Sequence, residues 1–335
     1  MSRKVPRTGR LFAALAVMAL AGLPVSPATA ADVTVLKVGI SEPVNTVLAL
    51  WMAEAGGFYE AQGFKVEIIN MNGGSRGARE LQAGHIDVMH VGLSSVVRLN
   101  HTGADLRTIA SLSNVIRFTF FSAPGVMSAA DLRGGSIGVS AFGSESDSTV
   151  TLALQRLGLT RGDVVLREFG GGMRRLAALK AGEIRATAIN EPVASTAREQ
   201  GLHVMVDLVA EKIPWLFSGL VVKRSFLAGH RDELTQFLKA TVEGNYLALA
   251  DATRAKEVLA RETRITDPKI IDIGYDDFRQ QTPDNIEPSR QGAENIIAQF
   301  PGVSPNVDDY VDTGILDELK KEGYFAGLAQ KYPRR

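Results

Sequence analysis

The chain has 335 residues, 37 Lys and Arg against 37 Asp and Glu, 45% hydrophobic residues and no cysteine. The missing cysteine excludes disulfides, thiol catalysis and thiolate metal sites together. The length suits about two domains and a core that needs no staples.

The first thirty residues read as an export signal. Arg3, Lys4, Arg7 and Arg10 form a basic start, Leu11 to Leu23 carries no charge, and Ala28-Thr29-Ala30 supplies small residues at a cleavage position. The apolar stretch is shorter than the roughly 20 residues a membrane span needs. Removal of residues 1–30 leaves 33 basic against 37 acidic residues, a net charge of −4. A net acidic chain argues against nucleic-acid binding, which wants a basic face. Without cysteine there is no lipid-anchor residue either, so a soluble protein of a Gram-negative periplasm is expected.

After the signal, apolar runs alternate with helix-period stretches, the pattern of a parallel α/β sheet. Strands are expected at Leu36–Ile40, Lys65–Met71, Ile86–Val91 and Leu106–Leu112, with a helix from Thr46 to Glu60. Ile116–Ser122 leads into a second block that repeats the first. GGSRGARELQAGHIDVMHVG (73–92) and GGMRRLAALKAGEIRATAIN (171–190) share 7 of 20 residues without a gap. Upstream, Val38-Gly39-Ile40-Ser41 is echoed by Ile137-Gly138-Val139-Ser140. Such self-similarity points to internal duplication. In each copy the Ala-Gly pair stops a helix, the glycine supplying a left-handed end. After Val204–Asp207 the chain returns to the first lobe through Trp215–Val222. A long helix over 231–262, a turn and helix over 277–300, and a closing segment over 314–332 follow. The expected lobes are 31–118 with 216–335, and 119–215, joined by a hinge crossed twice.

No catalytic constellation emerges. Phosphate-loop, dinucleotide, zinc-helix and nucleophile-elbow motifs are absent. His85, His90, His101, His203 and His230 are scattered, so structural or surface roles are expected for each. No catalytic residue, metal ligand or cofactor is expected. The strand-to-helix loops are more informative, being rich in Gly, Ser, Thr and Asn: 41–46, 73–75 and 92–95 in the first block, 140–146, 170–173 and 190–191 in the second. For any single serine, helix capping is the plainer role. Six such loops at the carboxyl ends of strands would nevertheless converge on one cleft, where helix N-termini favour an oxyanion.

LKVGISEPVN, GFYEAQGFKVEI, the Leu-x-Ala-Gly-x-Ile-Asp of 81–87, DLRGGSIGV and ATAINEPVAS resemble the sulfonate, taurine, nitrate and thiamine-precursor group of ABC-transporter substrate-binding proteins. The likeness runs from about Leu36 to Asp251. It implies a type II periplasmic binding protein fold, two Rossmann-like α/β lobes gripping a small solute, with an inner-membrane permease and ATPase as partners and a monomeric state. By position, it places ligand contacts at Asn45, Gly74, Ser75, Leu93, Ser94, Phe142, Gly143, Ser144, Asn190 and Glu191. Ser41 and Gly171 join them from the loops themselves, and Trp215, like Phe142, offers a surface on which a flat ring stacks. Many relatives carry another acid, or tryptophan with aspartate, where Asn190-Glu191 stand, and eukaryotic pyrimidine-synthesising relatives carry a cysteine cluster that this chain lacks. The expected ligand is a small organic anion. A thiamine-precursor pyrimidine is the alternative, and a secreted hydrolase or a sensor protein the reading from another class.

Overall fold

The computed structural model describes residues 1–2 and 35–333, so the expected signal segment lies outside the described residues. The first block runs β1 (Val35–Ile40), a 3-10 turn (Asn45–Val47), α1 (Leu48–Ala55), α2 (Phe58–Ala61), β2 (Lys65–Asn70), α3 (Gly74–Ala83), β3 (Val88–Val91), α4 (Leu93–His101) and β4 (Leu106–Val115). The second runs β5 (Phe118–Ser122), α5 (Ala129–Leu132), β6 (Ser136–Val139), α6 (Glu145–Arg156), β7 (Val165–Glu168), α7 (Gly172–Lys180), β8 (Ala186–Asn190), α8 (Val193–Glu199) and β9 (His203–Asp207). The chain then continues through β10 (Pro214–Lys223), α9 (Arg224–Gly229), α10 (Arg231–Ala250), α11 (Ala252–Thr263), α12 (Pro268–Gln281), α13 (Arg290–Ile297), α14 (Gly314–Lys321) and α15 (Tyr324–Lys331).

These strands form two five-stranded sheets, in the orders β2-β1-β3-β10-β4 and β7-β6-β8-β5-β9. The orders are equivalent. In each, the first three strands are parallel, with Val38 opposite Ile68 and Ile137 opposite Leu166. The fourth runs antiparallel and belongs to a segment next to a crossover: β10 returns beside β3, and β5 enters beside β8. The crossovers touch, Ile116 N–H donating to Ile213 O at 3.1 Å.

Local chemistry shortens several expected helices. The one expected over Thr46–Glu60 breaks at Gly56-Gly57, where Gly57 takes φ +70° and starts a new turn. The long one over 231–262 divides at Asp251, whose carboxylate caps α11 by accepting from Arg254 N at 3.0 Å. Instead of a turn then a helix over 277–300, α12 already spans 268–281 and α13 follows the turn. The Ala-Gly stop is seen at α3, where Gly84 adopts φ +82° and its N–H reaches back to Leu81 O.

The first sheet packs against α1, which is apolar nearly all round and is sandwiched by α10. A Cβ on Gly244 of α10 would stand 2.5 Å from Ala49 O and Ala53 N, so that crossing needs glycine. The second sheet has a small core under α7 and α8, built around Phe121, Leu176, Leu179 and Ile189. Its other face joins an apolar cluster shared with β3, α4 and Trp215. C-terminal helices hold both crossovers. Arg117 pairs with Asp277 of α12, and Asn295 of α13 donates to Pro214 O at 2.9 Å.

Candidate binding cleft

The carboxyl ends of β1 and β3 in one sheet, and of β6 and β8 in the other, open onto one cavity of about 60 Å³. Its lining comes from both sheets: Ser41, Glu42, Thr46, Gly74, His90 and Ser95 from the first block, Ser140, Ser144, Glu145, Ser146, Arg175 and Asn190 from the second. Phe118 and Phe217, next to the crossovers, form an edge-to-face pair with ring centroids 5.1 Å apart and supply the apolar wall. One water needs roughly 10–15 Å³ of such space. A cavity of this size matches only a few heavy atoms.

Four of the residues expected from sequence line this cavity: Ser41, Gly74, Ser144 and Asn190. Ser144 is also the cap of α6, accepting from Asp147 N, and closes a ring of hydroxyls with Ser140 and Ser146 at 2.9–3.0 Å. Capping and lining are thus one job here. The other expected residues lie outside the lining. Asn45 is buried, its amide donating to Gly274 O and Asp277 Oδ2 at 2.8 Å. Ser75 faces a neighbouring hollow with Arg79 and Arg98. Phe142 is 42% exposed and, with Gly143, borders the outer grooves beside Arg98. Leu93 is buried in core, and Ser94 next to it uses its backbone N–H on Glu145. Gly171 lies beside Glu42, and a Cβ added there would stand 3.3 Å from its Oε2. Glu191 is spent on Ser195 and Arg198. Trp215 is buried and its indole N–H donates to Glu145 Oε2 at 2.7 Å.

The charged residues of the cleft escaped the sequence reading. Glu145 is buried, and burial pushes its carboxyl up to about 7 despite hydrogen bonds from Trp215 and Ser94. His90 is buried with Nε2 3.3 Å from Thr46 Oγ1, and burial pushes its imidazole down to about 4, which keeps it neutral. Arg175 is 1% exposed, donates to Ala188 O at 2.6 Å and lies 3.8 Å from Glu42. Its Nε, like Ser95 Oγ, is buried without a partner. Burial lowers the Arg175 pKa, with Glu42 opposing the shift. A periodic signal for Arg175 existed. On α7 it shares the buried face with Gly172, Leu176 and Leu179, whereas its neighbour Arg174 and the equivalent Arg76 are exposed.

Two lobes of the same strand order, meeting at a polar cavity fed by strand ends, define a solute-binding protein fold. Residues 45–255 match the family described as NMT1/THI5 like, and the chain belongs to that family. A riboflavin-binding protein, RibY, from Chloroflexus aurantiacus is 26% identical over 212 residues, which are 61% of this chain and 59% of that protein. A solved structure from Bordetella bronchiseptica superposes with TM-score 0.76 at 21% identity, covering 90% of this chain and 98% of the other. The alkanesulfonate-binding protein SsuA from Xanthomonas axonopodis pv. citri, bound to MOPS, gives 0.69 at 20% identity, covering 81% and 92%. These structural likenesses show the periplasmic binding protein fold. Among the described residues, no helix is long and apolar enough to cross a membrane.

Proposed function

We propose that the chain is the solute-capturing component of an ABC importer, exported to the periplasm by residues 1–30 and handing its cargo to a membrane permease and ATPase. The lobes, 31–118 with 216–335 and 119–215, close on the solute about the crossovers. Closure is a population shift driven by contacts that only the closed form offers. Binding and release, without chemical change, is the activity this reading assigns.

The observation that carries it is the cleft itself, lined by matching loops of both lobes. Its two carboxylates, neutral imidazole, hydroxyls and phenyl pair suit a small nitrogen heterocycle that donates hydrogen bonds from its ring or an amino group. The riboflavin-binding relative accords with a heterocyclic cargo. A small organic anion is the second reading, favoured by the buried Arg175 with its unpartnered Nε. A thermal-shift screen over pyrimidines, flavins, sulfonates, carboxylates and nitrate tests both. A true cargo at 100 times its Kd raises stability by about 2.7 kcal/mol. Absence of any binder, or binding without compaction in small-angle scattering, would sink the receptor reading.

A further inference from the structure

Helix N-termini are where this architecture would seat an anion, because unpaired N–H groups and the helix dipole point there. Two of them open between the lobes, and in each the visitor is a carboxylate of the protein. Glu42, following β1 in the first lobe, reaches across to α7 of the second, where Gly172 N–H donates to its Oε2 at 2.7 Å. Glu145, opening α6 in the second lobe, reaches across to α4 of the first, where Ser94 N–H donates to its Oε1 at 2.7 Å. The exchange is reciprocal: each lobe lends an acid to the other's helix. The seats are shaped for it. A Cβ on Gly92 would stand 2.2 Å from Glu145 Cγ, so only glycine leaves room for that side chain. The buried guanidinium of Arg175, the other group able to attract an anion, already has Glu42 beside it at 3.8 Å.

We infer that Glu42 and Glu145 are specificity-determining residues: they hold the anion seats of the closed cleft with internal carboxylates, exclude small free oxyanions, and present acceptor oxygens to a solute that donates. The inference rests on the cleft being the solute site and names the class of solute it admits.

The test titrates ethanesulfonate and nitrate into the full chain by calorimetry, using wild type, Glu42→Ala and Glu145→Ala, with circular dichroism confirming that each variant folds. Wild type is expected to bind neither anion measurably. Each folded alanine variant is expected to gain at least about tenfold in affinity for one of them, a difference of about 1.4 kcal/mol, because a helix end or Arg175 has lost its resident acid. Glu42→Gln, which keeps the shape and removes the charge, serves if an alanine variant does not fold, and gains in the same direction. Wild type binding ethanesulfonate or nitrate as tightly as the variants, or no gain in any folded variant, overturns the inference. The receptor reading fails separately, when no heterocycle, sulfonate or carboxylate binds the wild type.

Discussion

The two lobes share a strand order yet are stabilised differently. The first sheet sits in a cluster of 40 buried apolar residues that includes α1 and every helix from α9 to α15 except α13. The second sheet's core under α7 and α8 has 11, and its other face, under α6, merges with a cluster shared with the first lobe. One strand plan, copied, is therefore embedded once in a thick scaffold and once in a thin one. In such a pair the thin lobe opens more readily, since local stability follows buried apolar contact.

Large truncations break this comparison most directly. Phe237→Ala in α10 and Phe121→Ala in β5 each remove a fully buried ring, a loss of about 3–5 kcal/mol. Hydrogen exchange should separate them. Phe121→Ala accelerates amides of β5, β8 and α7 while sparing α1 and α10, whereas Phe237→Ala exposes the first lobe and lowers the global transition. Uniform acceleration by Phe121→Ala would mean the lobes unfold as one.

A second contrast is electrostatic, with one partner in each lobe. His90, on β3, has its imidazole held near 4 by burial, and Glu145, on α6, its carboxyl near 7. For the histidine, the folded pKa lies below the ordinary 6.5, so its stabilisation is present above 6.5 and is lost as pH falls towards 4. For the glutamate, the folded pKa lies above 4.5, so its stabilisation is present below 4.5 and is lost as pH rises through 7. Each effect is about 3 kcal/mol, and between pH 4.5 and 6.5 they oppose. Urea midpoints of the wild type should change little across that window. Glu145→Gln should become more stable as pH rises, and His90→Gln less stable. Parallel slopes in the two variants would dismiss the pairing.

The difference in scaffolds was partly legible. The strands at 36–40 and 65–71, the duplicated Gly-Gly and Ala-Gly segments and the return at 215–222 are local patterns, and periodicity with turn glycines displays local patterns well. Ser41, Gly74, Ser144 and Asn190 were visible for the same reason, each lying in one of the Gly-, Ser- and Asn-rich strand-to-helix loops. Glu42 and Glu145 were not, because each acquires its meaning from a helix end more than 50 residues away. Glu191 misleads in the opposite sense, since its neighbours Ser195 and Arg198 satisfy it before the cleft does. Gly244→Ala probes a contact equally silent in sequence, the approach of α10 to α1. Its Cβ would meet backbone, which cannot swing aside, so a loss of about 1–3 kcal/mol is expected in thermal or urea unfolding. A neutral result would show that the two helices slide apart freely.

The smallest effect compares two serines of strand-to-helix turns, one in each lobe. Ser41 ends β1 and donates to His90 O at 2.8 Å from a partly exposed position. Ser144 is 2% exposed, accepts from Asp147 N as the cap of α6 and bonds Ser140 and Ser146. Removal of the Ser144 hydroxyl deletes a cap and leaves the buried Ser146 and the half-buried Ser140 hydroxyls each one partner short, so Ser144→Ala should cost about 1 kcal/mol or slightly more. Ser41→Ala forfeits a single bond that water replaces, and should cost less. Equal midpoints for the two variants would mean that the hydroxyl ring re-forms without Ser144, and the thin lobe would then owe its β6–α6 turn to the backbone alone.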